Sequence, residues 1–206
     1  MSTTRRFARA AAATVAAVTA ATVLAACGGG DDSAAQPGAN ASFNLVDVGF
    51  AQQMIPHHSQ AVKMAALAAT RAKDPKVKKL AAQIAAAQGP EIETMQGFLE
   101  SWGEPLAPDM ADMDHSSMSA EEMAAMTSGS MPGMASDDDL ARLSAAKGAA
   151  FDRLFLTLML EHHRAALEMA QKEQTGGRSE PATALAEEIV TTQTAEITRM
   201  SKLQKA

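Results

Sequence analysis

Apolar positions in the second quarter of the chain recur at helical spacing. Phe50, Met54, His57, Ala61 and Met64 step by four, three, four and three, which draws one stripe along a helix. Ile55, His58, Val62 and Ala65 draw a second stripe beside it, the pattern of a helix packed between neighbours in a bundle. The same pattern returns 105 residues later. Asp47, Phe50, Met54, His57, His58, Ala61, Met64 and Ala65 fall on Asp152, Phe155, Met159, His162, His163, Ala166, Met169 and Ala170. Without a gap, Leu80, Ala81, Ile84, Gln88, Glu91, Ile92 and Met95 fall on Leu185, Ala186, Ile189, Gln193, Glu196, Ile197 and Met200. The chain therefore carries an internal duplication of a two-helix unit.

Punctuation agrees with the periodicity. Asp74-Pro75 supplies an N-cap and a first-turn proline, Gly176-Gly177 closes the third helix, and Ser179 can cap the fourth. Tyrosine is missing and β-branched residues never alternate, so strand signals are absent. The spacing predicts helices near 43–72, 75–101, 148–174 and 180–204. They form an all-α, antiparallel four-helix bundle of two duplicated α-hairpins with pseudo-twofold symmetry. Gly89-Pro90 is expected to kink the second helix, whereas its counterpart Thr194-Ala195 leaves the fourth continuous.

Two stretches outside the four helices carry signals of their own. Residues 1–27 read as an export signal, with Arg5, Arg6 and Arg9 ahead of an alanine- and valine-rich run that ends in the lipobox Leu24-Ala25-Ala26-Cys27. Lipidation of Cys27 predicts an extracytoplasmic protein anchored to the cell membrane by acyl chains, with residues 28–42 as a flexible tether and 43–204 as the bundle domain. An insertion at 103–147 separates the two hairpins. It contains a capping box at Ser119 and Glu122, and a second helix start at Ser136 followed by Asp137, Asp138 and Asp139. Lys73, Lys76, Lys78 and Lys79 read as a solvated face, and Trp102 as an anchor for the end of the second helix.

Cys27 is the only cysteine, so the domain has neither a disulfide nor a thiolate ligand, and any soft donor must be a methionine sulfur. Net charge is −6, and losing the three leader arginines makes the mature chain −9, which excludes nucleic acid as a natural partner. No nucleophile with a general base and no nucleotide fingerprint is visible.

The chemistry concentrates in five histidines and a methionine-rich loop. His57-His58 and His162-His163 occupy equivalent helix positions, and adjacent residues point about 100° apart, so one of each pair can face the seam and the other a flank. Two readings fit them: ligands of a shared transition metal, or a structural polar network. Glu91 and Glu196, with Gln88 and Gln193, lie on the apolar side of their helices, as ligands or as groups that orient the imidazoles. Met54 and Met159 are core fillers or thioether ligands. From Ala107 to Asp139 there is no Leu, Ile, Val or Phe, yet Met110, Met113, Met118, Met123, Met126, Met131 and Met134 all occur. Thioethers suit Cu(I), and His115 beside Met110, Met113 and Met118 adds an imidazole for the oxidised ion. Compositional drift and scavenging of oxidants are the alternatives for this loop.

At the two histidine segments the chain resembles the family catalogued as domain of unknown function 305. The likeness is carried by Phe50-x3-Met54-Ile55-x-His57-His58-x2-Ala61-x2-Met64-Ala65, by Phe151-Asp152-x2-Phe155-Leu156-x2-Met159-x2-His162-His163-x2-Ala166-x2-Met169-Ala170, and by Met131-Pro-Gly-Met134. The resemblance implies a ferritin-like bundle, exported or membrane-anchored, with some members linked to copper binding and tolerance. It implies no established reaction. Ala135, where relatives often carry another methionine, is a departure. The loop separately resembles the Met/His-rich segments of periplasmic copper-resistance proteins.

Three functions follow as expectations. The first is a protein that binds copper, as Cu(I) or Cu(II), or another transition metal, and sequesters it or exchanges it with a donor or acceptor protein. The second is a ferritin-type redox enzyme, against which stands the absence of a Glu-x-x-His motif from both histidine helices. The third is a metal-free interaction module of the envelope.

Overall fold

The start of the first helix is fixed by its own side chains. In the computed structural model, which describes residues 41–106 and 131–205, the Asn44 side chain accepts hydrogen bonds from the Val46 and Asp47 amides, and the Asp47 carboxylate accepts from the Asn44 amide. That capping box opens α1, Leu45–Arg71. Asp74 accepts from the Lys76 amide at 2.8 Å and opens α2, Pro75–Trp102, which ends where Gly103 adopts a left-handed φ of 74°. Ser136 caps the short α3, Asp137–Ala145. The second hairpin comprises α4, Gly148–Gly176, and α5, Glu180–Gln204, the latter capped by Ser179. α2 runs through Pro90 as one helix, and α1 likewise contains Pro56. Trp102 stacks on Phe43 and Phe98 and fastens the end of α2, while the four lysines are exposed as expected. The export signal, the tether up to residue 40 and the helix expected at Ser119 lie outside the described residues.

Short turns make each hairpin antiparallel, and the hairpins meet mainly along α1 and α4. The Asn44 side-chain amide donates to the Gly176 carbonyl, so the start of α1 lies beside the end of α4; at the opposite end Ala72 bridges to Gly148. The architecture is the predicted all-α bundle. Among the described residues no helix is long and apolar enough to cross a membrane.

The duplication also builds a reciprocal clamp. Asp152 on α4 accepts from the Lys73 and Asp74 amides at 3.0 and 2.9 Å, at the head of α2. Asp47 on α1 accepts from the Arg178 and Ser179 amides at 3.0 and 2.9 Å, at the head of α5. The first helix of each hairpin thus caps the second helix of the other, where a carboxylate also meets the positive end of the helix dipole. Asp47 is fully buried and makes an additional bond to Asn44, so its loss strands more amides. Asp47→Ala is expected to cost about 2–4 kcal/mol and Asp152→Ala about 1–3 kcal/mol, read from urea midpoints.

One half of the clamp has an extra group. Glu173 is fully buried against Asp47, and the equivalent position beside Asp152 is Ala68. Burial, then the neighbouring Asp47 carboxylate, push Glu173 up to about 8, so at neutral pH its carboxyl carries the proton. Burial works to raise Asp47 as well, but the protonated Glu173 carboxyl beside it and the backbone amides of Ser179, Asn44 and Arg178 outweigh it and hold Asp47 below the ordinary carboxylate range.

Two apolar clusters fill the bundle. One gathers Ala61, Met64, Leu80, Ile84, Phe155, Met159 and Met200; the other gathers their pseudo-symmetric counterparts Ala166, Leu185, Ile189, Phe50, Met54 and Met95, with Met169 packed at its margin. Each helix passes from one cluster to the other, and each does so across its polar residues: Met54 to Ala61 over His57-His58, Ile84 to Met95 over Gln88 and Glu91, and likewise in the second hairpin. A polar layer therefore divides the core at its middle.

Candidate metal centre

All four paired histidines lie in this layer with no exposed surface. His58 points across its own hairpin, its Nε2 2.8 Å from the Glu91 carboxylate, and His163 repeats this with Glu196 at 2.8 Å. Their neighbours turn toward the other hairpin. His57 and His162 meet at the α1–α4 seam with ring centroids 3.6 Å apart and planes inclined by 36°. Within each pair the rings are 6.4 Å apart, the splay that consecutive helix positions impose.

The layer is rich in donors and acceptors that nothing among the described residues satisfies. Both nitrogens of His57, both of His162, Nδ1 of His58 and of His163, and both amide atoms of Gln88 and Gln193 are buried without a hydrogen-bond partner among the described residues. Buried polar groups in folded proteins are nearly always paired, and each unpaired one costs about 1–3 kcal/mol. Burial lowers His57 from 6.5 to about 3, helped by repulsion from His58 and His163. Burial likewise lowers His162 to about 2, with repulsion from His57, His163 and His58 added. Both rings are neutral at physiological pH, the form that binds metals. Where the Nε2–H of His58 or His163 donates to its glutamate, Nδ1 keeps a lone pair, so the carboxylates fix the tautomer and raise the basicity of the free nitrogen. These donors suit a borderline transition metal such as Cu(II) or Zn(II).

The site is not a closed coordination sphere. Among the described residues, no three His, Cys, Asp or Glu side chains are already drawn together around a point an ion could fill. The His57 and His162 rings are in van der Waals contact, so an ion could enter between them only if they turned.

Other residues singled out from the sequence fall as follows. Glu91 is mostly buried and Glu196 more so, both as partners of imidazole. Met54 and Met159 are fully buried in the apolar clusters, one on each side of the layer and a turn from the histidines. Met110, Met113, His115, Met118 and Cys27 lie outside the described residues. Ala135 is gripped at both backbone atoms by Gln60, whose side-chain nitrogen donates to its carbonyl at 2.9 Å and whose oxygen accepts from its amide at 2.8 Å. Sequence reasoning passed over Pro56 and Gln60. Pro56, one residue before His57, removes an N–H from the α1 ladder there, and a proline within a helical stripe is the signal that marks it.

A doubled His-His motif on a duplicated bundle is a specific arrangement, and the family model for the domain of unknown function DUF305 matches residues 47–204. The chain belongs to the DUF305 family. Solved relatives share the fold. A DUF305 protein of Streptomyces coelicolor, named as an inferred secreted protein, is 32% identical with a TM-score of 0.64, the match covering 77% of this chain and 91% of that one. A DUF305 fragment from Deinococcus radiodurans is 31% identical with a TM-score of 0.62, covering 78% and 95%. CopM in its Cu(I)-bound form is 29% identical with a TM-score of 0.60, covering 77% and 95%. CopM structures also exist in Cu(II)-bound, Ag-bound and apo forms. Over 54 residues this DUF305 chain is 41% identical to the uncharacterized protein L153 of Acanthamoeba polyphaga mimivirus; the match spans only 36% of that protein's length and 26% of this chain.

Proposed function

We propose that this protein binds copper outside the cytoplasm, held at the membrane by lipidation of Cys27, and that it sequesters the ion or exchanges it with a donor or acceptor protein. The metal site lies in the central polar layer, with ligands drawn from His57, His58, His162 and His163. The observation that carries the reading is the meeting of His57 with His162, imidazoles from opposite hairpins, with all four nitrogens buried and unpaired among the described residues. Two further points support it. CopM, a structural relative with the same bundle, exists with Cu(I), Cu(II) and silver bound, and the Streptomyces relative is named for secretion. Met110, Met113, Met118 and His115 extend the proposal to the insertion, as a soft capture segment for Cu(I). Met54 and Met159 border the layer from its two apolar sides.

Titration of the apo-protein with Cu(I), Cu(II), Zn(II) and Fe(II) tests the reading. Changing all four paired histidines to alanine should remove Cu(II) binding by the bundle; unchanged stoichiometry and affinity would rule the layer out. Glu91 and Glu196 provide a finer test. Glu91→Gln with Glu196→Gln keeps the side-chain shape but weakens the hold on the tautomer, so Cu(II) affinity is expected to fall about 10- to 100-fold, measured by chelator competition.

A further inference from the structure

The segment Met131-Pro132-Gly133-Met134 lies over the histidine layer. The Met134 amide donates to the Met131 carbonyl at 3.0 Å, and Gly133 has a φ of 76°, which together with Pro132 makes a tight reverse turn. A turn of this kind brings its first and fourth residues within about 7 Å at their Cα atoms, close enough for two flexible thioethers to reach one ion.

The turn is pinned at two points, each next to a central histidine. Gly133 packs so closely on α4 that a β-carbon there would collide with that of Ala165 and crowd the Glu161 carbonyl at 3.1 Å. Glu161 and Ala165 flank His162 in the sequence. The residue after the turn, Ala135, is held at both backbone atoms by Gln60, one helical turn beyond His57. The segment thus crosses from α4 to α1 at the level where His57 and His162 meet, while His58 and His163 point away to α2 and α5. Met131 and Met134 are half-buried, so they remain reachable from solvent.

We infer that Met131 and Met134 form a thioether subsite for a soft monovalent ion, Cu(I) or Ag(I), at the outer mouth of the histidine layer. The inference rests on the copper reading above and adds an entry point to it. Two neutral sulfurs favour the reduced ion, whereas the imidazoles behind them accept either oxidation state. The turn carrying the sulfurs is fastened to the residues that flank His57 and His162 on their helices.

The test uses the whole chain with Ag(I), which is redox-silent, and ¹³C-labelled methionine methyl groups. Addition of Ag(I) should shift the ε-methyl resonances of Met131 and Met134. Met131→Leu with Met134→Leu, a volume-conserving change, should remove one Ag(I) equivalent or weaken it at least tenfold while Cu(II) binding stays unchanged. Gly133→Ala should also weaken Ag(I) binding, because it spoils the turn while keeping both sulfurs. Methyl resonances of Met131 and Met134 that stay fixed, or an Ag(I) isotherm that survives the leucine pair unaltered, would overturn the subsite alone. A wild-type chain that takes up neither Ag(I) nor copper would overturn the copper reading as well.

Discussion

His57→Leu combined with His162→Leu is expected to make the metal-free protein more stable, and to cost it Cu(II) binding in the bundle. The two imidazoles bury four nitrogens without partners among the described residues, between apolar clusters that any aliphatic side chain would join. Leucine removes those unsatisfied groups without leaving a large void. With each orphaned polar group costing about 1–3 kcal/mol, the pair should gain on the order of 2 kcal/mol or more, raising the urea midpoint at unchanged m-value. A purely structural role predicts the opposite sign, since a network that holds the bundle together must weaken when its centre is removed. A loss of stability in this variant would therefore argue for the structural network over the metal site. Residues that lower stability and persist at a matched place in both halves are where binding chemistry is to be sought.

The second large effect is on pH, again in the metal-free protein. His57 and His162 have folded values of about 3 and about 2 against 6.5. The unfolded chain therefore takes up two protons below pH 6.5 that the folded chain refuses, and stability present above 6.5 is lost as the pH falls. Glu173 acts in reverse. Its folded value of about 8 against 4.5 means that the stability it contributes is complete below 4.5 and is lost as the pH rises toward 8. Each proton is worth about 1.4 kcal/mol per pH unit. Above 6.5 only Glu173 acts, so stability declines toward pH 8 at about 1.4 kcal/mol per unit. Between 6.5 and 4.5 the two imidazoles outweigh Glu173, so it declines toward acid at about the same net rate, and more steeply below that. Thermal melts across pH should peak near 6.5. Glu173→Gln should flatten the alkaline limb, and the leucine pair should flatten the acid limb. A profile insensitive to both substitutions contradicts the assignment of these groups.

The fold was legible in the sequence because its signals are local or repeated. Phe50 to Met64 specify a buried helix by spacing alone, Asp74-Pro75 and Ser179 announce helix starts by their chemistry, and the 105-residue repeat places the two hairpins in equivalent roles. The convergence of His57 with His162 also followed, since duplication brings equivalent positions together near the dyad. The division of labour within each pair did not follow, because it depends on which neighbour each ring meets: Glu91 and Glu196 are 33 residues away along the chain. The reciprocal clamp was hidden for the same reason. Asp47 caps a helix more than 130 residues later, and a sequence reading sees only a matched pair of aspartates. Glu173 is less legible still, since its partner in the duplicate is Ala68 and no repeat marks it. The thioethers were visible as a composition, but only the turn at Gly133 and the grip of Gln60 put two of them beside the histidines.

Anomalous diffraction at the copper edge from crystals of the copper-loaded protein would locate the ion itself. An ion shared between the halves predicts a peak in the polar layer about 2 Å from a nitrogen of His57 or His58 and about 2 Å from a nitrogen of His162 or His163, the distance imidazole keeps from metals of this class. Peaks confined to other parts of the molecule, with the His57 and His162 rings still in contact with each other, would contradict it.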